Sequence, residues 1–91
     1  MVSHIAEFVC MLNGRDAGKY FIAVSLEDNL LYVSNGKNRK VESPKGKNPK
    51  HLRFTGVKDA KLLQKLSQAL PVTNKEVRES VRRYQEEIQE I

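Results

Sequence analysis

The chain reads as a small, mainly β protein: a five-stranded barrel over residues 1–57, then a C-terminal extension of one or two α-helices over residues 58–91. Three observations predict this. Five short apolar or alternating runs are separated by turns rich in Gly, Asn and Pro. After Gly56 the apolar spacing changes from strand-like to helical. A chain of 91 residues buries only about 60–65% of its unfolded surface, enough for one small core and too little for a deep substrate cavity as well.

The elements follow in order. Ile5 to Met11 predicts a strand centred on Phe8 and Val9. Asn13-Gly14-Arg15-Asp16-Ala17-Gly18 is a polar turn whose two glycines imply at least one positive-φ position. Lys19 to Leu26 (KYFIAVSL) is aromatic and β-branched, a good strand. Glu27-Asp28-Asn29 is a turn, and Leu30 to Ser34 the third strand. Asn35-Gly36 predicts a type I′ hairpin turn, with Arg39 to Glu42 as the return strand. Ser43 to Pro49 (SPKGKNP) reads as loop. His51 to Thr55 alternates, with Leu52 and Phe54 on one face, and ends at Gly56.

Lys58 to Leu70 places Leu62, Leu63, Leu66 and Leu70 on one helical face, and Pro71 stops it. Thr73 and Glu76 form a capping box. The helix they open carries Val77, Val81, Tyr84, Ile88 and Ile91 as one apolar stripe, expected to pack within the chain. Its cations Lys75, Arg78, Arg82 and Arg83 come early, while Glu86, Glu87 and Glu90 come late, a polarity that runs against the helix dipole. Five strands at this spacing fit an SH3-like barrel best, since an OB-fold needs longer strands.

The charge is concentrated. The formal net charge is +5. Gly36 to Arg53 alone carries seven cations against Glu42, a net +6 in eighteen residues. The remaining 73 residues therefore sum to −1. Such a segment suits a polyanion, either nucleic acid or an acidic membrane surface, although a solvated Lys-rich loop has the same composition.

The run Gly14-Arg15-Asp16-Ala17-Gly18-Lys19-Tyr20-Phe21 resembles the KOW motif of ribosomal proteins and transcription elongation factors. Asn35 to Val41, Pro44-Lys45 through Lys50-His51-Leu52, and the helix start at Thr73 to Arg78 extend the likeness. Together they are similar to small bacterial KOW-domain proteins grouped with large-subunit ribosomal proteins of archaea and eukaryotes. The resemblance covers most of the chain and implies an SH3-like barrel that binds RNA, usually ribosomal RNA.

Physical chemistry supplies the candidate contacts. Gly14 and Gly18 let backbone approach a phosphate, and N–H groups in such a turn form an anion nest. Arg15 and Lys19 flank the turn with charge. Lys37, Arg39 and Lys40, then Lys45, Lys47, Lys50, His51 and Arg53, extend the basic surface. His51 fits stacking on a base or an ordinary exposed strand position. Asp16 reads as a turn residue, bonding nearby N–H groups or pairing with Arg15, and His4 as a bystander. Cys10 reads as a small buried hydrophobe.

Enzyme chemistry has little footing. One Cys and two separated His do not compose a usual zinc site, and a single Cys cannot close an intramolecular disulfide. No GxxxxGK[ST], GxSxG or HExxH occurs, and the three Asp are far apart. No cofactor, metal or small-molecule substrate is expected. His4 and Glu7 interrupt the apolar N-terminus and no basic region precedes it, so a cytoplasmic, membrane-free protein is expected. The expectation is a non-catalytic RNA-binding protein of the translation machinery. A protein-interaction adaptor acting through the barrel or a self-associating C-terminal helix, and a transcription or translation regulatory factor, are the alternatives. Charge alone also permits DNA.

Overall fold

The computed structural model describes residues 3–89. Five antiparallel strands, β1 (Glu7–Met11), β2 (Tyr20–Glu27), β3 (Leu30–Ser34), β4 (Lys45–Lys47) and β5 (Leu52–Lys58), precede two helices, α1 (Ala60–Ser67) and α2 (Asn74–Gln89). They form a single open sheet of order β4-β3-β2-β1-β5. β1 pairs with both β2 and β5, so all five of its residues are buried. Register shifts between Glu7 and Val9 and between Ala23 and Ser25 mark bulges, which bend and twist the strands they interrupt.

Strand alternation sends side chains to two cores. Val9, Met11, Phe21, Ala23, Leu31, Val33 and Leu52 form one from the sheet alone. Ala6, Phe8 and Ile22 face the other way and meet Leu62 of α1 and Val77, Val81 and Tyr84 of α2. Phe8 stacks on Tyr84 at 4.5 Å, and Tyr20 meets Tyr84 edge-on at 5.4 Å. Each fully buried aliphatic here contributes about 1.5–3 kcal/mol. The α2 stripe is thus spent within the chain as far as Tyr84, while Ile88 is 36% exposed. Ile91, the last expected stripe position, lies outside the described residues.

The capping box forms: Glu76 N–H donates to Thr73 Oγ1 at 3.1 Å, and Thr73 N–H to Glu76 Oε1 at 3.1 Å. The first helix is shorter than its apolar spacing suggests. It stops at Ser67, and Ala69 turns left-handed (φ 56°), so Leu70 leaves the stripe and is 47% exposed.

The largest correction falls between β3 and β5. Arg39 to Glu42 is not a strand, and Asn35-Gly36 is not a type I′ turn, because Gly36 is positive in φ and Asn35 is not. Asn35 Oδ1 accepts the N–H groups of Lys37 and Arg39, at 3.0 and 3.1 Å, which folds a wider loop. Val41 donates its N–H to Asn74 Oδ1 on α2 at 2.8 Å and packs against the helix-side core. The return strand is instead Lys45–Lys47, inside the expected loop, where Gly46 leaves room for the Tyr32 ring across the ladder.

Candidate nucleic-acid interface

The β1–β2 loop is closed at its base by two bonds between Met11 and the far side. Gly18 N–H donates to Met11 O at 2.8 Å, and Met11 N–H to Lys19 O at 3.0 Å. Within it, Ala17 N–H donates to Gly14 O and Lys19 N–H to Asp16 O. Gly14 and Gly18 hold φ of 81° and 84° with open space where a side chain would stand. Glycine is therefore required by conformation, and the backbone beneath is bare. The N–H groups of residues 17–19 are consumed inside the loop. Those of Gly14, Arg15 and Asp16 enter none of its backbone bonds.

Asp16 is buried and pairs with Lys19 at 3.6 Å, not with Arg15. Its buried Oδ1 accepts no hydrogen bond, so the expected bonding to loop N–H groups is absent at that atom. Arg15 is exposed and makes no ion pair among the described residues.

His51 and Arg53 come to this loop from the other side of β1. Asn13 Nδ2 and His51 Nδ1 lie 2.9 Å apart. Arg53 Nη2 donates to the Tyr20 hydroxyl at 2.9 Å, and its guanidinium sits 5.9 Å from the ring centre. The register explains it: Cys10 faces Tyr20 on one side and Arg53 on the other, so the two long side chains meet across a small one. The Tyr20 hydroxyl, then Cys10, raise the Arg53 pKa further above its ordinary value. Cys10 itself is buried, as its apolar surroundings predict.

The Asn35–Arg39 loop is held against α2. Arg78 Nη1 donates to Gly36 O at 2.8 Å. Between this loop, the β1–β2 loop and α2 lies a cleft of about 470 Å³, lined by Lys19, Tyr20, Lys37, Arg78, Glu79 and Arg82 among others. Lys37 and Lys40 are exposed. Arg39 is half-buried, its carbonyl receiving Asn35 and Gly36 N–H and Ser34 Oγ, and its buried Nε has no partner.

The predicted contact residues thus divide. Gly14, Arg15, Gly18, Lys19, His51 and Arg53 belong to the β1–β2 loop and its flank, and Lys37 joins Lys19 at the cleft. Lys45 and Lys47 lie on the far edge strand opposite Val33 and Leu31, hence on the sheet face turned away from α2. Lys50 lies in the short 3-10 turn Pro49–His51. Sequence reasoning missed Tyr20, Arg78 and Arg82 as site residues.

His4 stacks on Phe54 at 4.1 Å and lies 2.7 Å from the buried Glu7 carboxylate, a structural role. Among the described residues no three His, Cys, Asp or Glu side chains are grouped as a metal site would need. No helix among the described residues is long and apolar enough to cross a membrane. No family model matches the chain, and no curated protein matches it either.

Proposed function

We propose that the protein is a non-catalytic RNA-binding module of the SH3-like, KOW-containing kind, docking ribosomal or other structured RNA. The observation that carries the reading is the meeting of Lys19, Lys37, His51 and Arg53 with a glycine loop whose 14–16 N–H groups are unspent. Four strands in sequence order, a fifth returned by a 3-10 turn to pair with β1, and a core made by the sheet alone support the barrel assignment. Phosphate contacts from Arg15, Lys19, Lys37 and Arg53 supply affinity, and loop shape supplies preference.

The adaptor reading has less support. The apolar face of α2 that self-association would use is covered by the chain's own sheet as far as Tyr84. The deciding experiment crosslinks the protein to cellular RNA and maps the sites, with ribosome cosedimentation at several salt concentrations beside it. Crosslinks clustered in ribosomal or another structured RNA, and salt-sensitive cosedimentation, support the proposal. Absence of any RNA crosslink overturns it.

A further inference from the structure

We infer that α2 is half of the RNA site: the cleft at the seam of sheet and helix, lined by Arg78 and Arg82 together with Lys19 and Lys37, grips one unpaired RNA strand by its phosphates. The inference rests on the RNA-binding reading above and adds to it the element and the form of RNA. Residues 74–83 of α2 carry four cations, Lys75, Arg78, Arg82 and Arg83, against two acids, Glu76 and Glu79, so the N-terminal part of the helix presents a net positive charge. Two of the early cations have structural partners. Arg83 lies 3.8 Å from Asp59, and Arg78 spends one nitrogen on the Gly36 carbonyl. Arg82 has none beyond Glu86, at 3.1 Å, with both side chains about 60% exposed (61% and 58%). Such a pair contributes little and yields readily to a phosphate, which matches the guanidinium fork better.

The same lining includes Lys19, which is 63% exposed, and exposed Lys37. Glu79 is an acid in the wall, while Asp16 and Glu86, outside the lining, pair with Lys19 and Arg82. Four cations against one lining acid favour an anion. Tyr20 also lines the cleft and is fixed by Arg53 and by the edge of Tyr84. At about 470 Å³ the cleft has the volume of a small-molecule pocket. It admits a nucleotide or two of one strand, and an A-form duplex, whose readable face is broad and shallow, does not enter.

The test measures binding of a fluorescent, unstructured 12-nucleotide RNA from 50 to 200 mM salt. Wild type is compared with Arg82→Gln, with Arg83→Gln as the same charge loss on the Asp59 side of α2, and with Lys37→Gln. Melting curves check that each variant is folded. The expected result is a several-fold loss for Arg82→Gln and Lys37→Gln, each with a salt slope lower by about 0.7, the value of one single-strand phosphate contact. Arg83→Gln stays near wild type, and an RNA duplex competes poorly. If Lys37→Gln weakens binding while Arg82→Gln matches Arg83→Gln, the helix is not part of the site, yet the protein still binds RNA. Equal competition by duplex overturns the single-strand cleft in the same way. Wild type that binds no RNA overturns both readings together.

Discussion

Arg78 on α2 donates a hydrogen bond to the backbone carbonyl of Gly36, 2.8 Å away and 42 residues earlier in the chain. That bond joins the basic loop to the helix that covers the sheet. Gly36 fits only because it lacks a side chain. A Cβ would run into Asn74 O and stand 2.9 Å from Arg78 Cγ, and φ is +72°. Gly36→Ala is therefore expected to destabilise the fold by roughly 2–4 kcal/mol, from left-handed strain and a backbone collision combined. Chemical denaturation measures it.

Gly18→Ala is the informative contrast. Its φ of +84° carries the same strain, but no atom stands within 4 Å of the added carbon. The expected cost is only about 1–2 kcal/mol. A loss as large as that of Gly36→Ala would show that the loop packs more tightly than described.

Asp59 couples the two helices. Its side chain caps α1 by accepting Leu62 N–H at 3.0 Å, and accepts the hydroxyl of buried Ser80 on α2 at 2.5 Å. Asp59→Ala removes the cap and orphans the hydroxyl, an expected loss of roughly 2–3 kcal/mol. Ser80→Ala removes the buried hydroxyl and leaves the cap, so it should cost clearly less.

Acid stability should depend on Glu76. Lys65 Nζ, 2.6 Å away, holds this carboxyl at about 2, with Thr73 N–H second. A carboxyl depressed in the folded state stabilises fully above its ordinary value of 4.5 and loses that contribution as pH falls toward 2. The melting temperature should drop across that window, and Glu76→Gln should flatten the drop. Some slope should remain from Glu42, whose own backbone N–H and then the Asn74 amide also lower its pKa. An unchanged pH profile in Glu76→Gln would remove Glu76 from this role.

Much of the fold was legible because local rules and tertiary demand agreed. Periodicity placed β2, β3 and α2, and Thr73 and Glu76 announced the cap that forms. The misplaced return strand owes much to residues distant in sequence. Asn35-Gly36 looked like a hairpin turn, but Asn74 on α2 took the Val41 N–H that a return strand needs. Lys45-Gly46-Lys47 looked like loop, but a glycine beneath Tyr32 made it the better edge strand. At the candidate site, the glycine loop was visible in sequence as a turn. The approach of Arg78 and Arg82 to Lys19 and Lys37 was not, because it depends on which face of α2 the sheet buries.

The central claim is RNA recognition by this basic surface, and one salt titration tests it most directly. Binding of a structured ribosomal RNA fragment would be measured from 50 to 200 mM salt for wild type and for the combined Lys37→Glu, Arg39→Glu and Lys40→Glu variant. With six to ten phosphate contacts, wild-type affinity should fall by about 10³–10⁵ over that range, and the variant should bind far more weakly throughout. Binding that ignores salt, or that survives the triple charge reversal unchanged, would contradict the account.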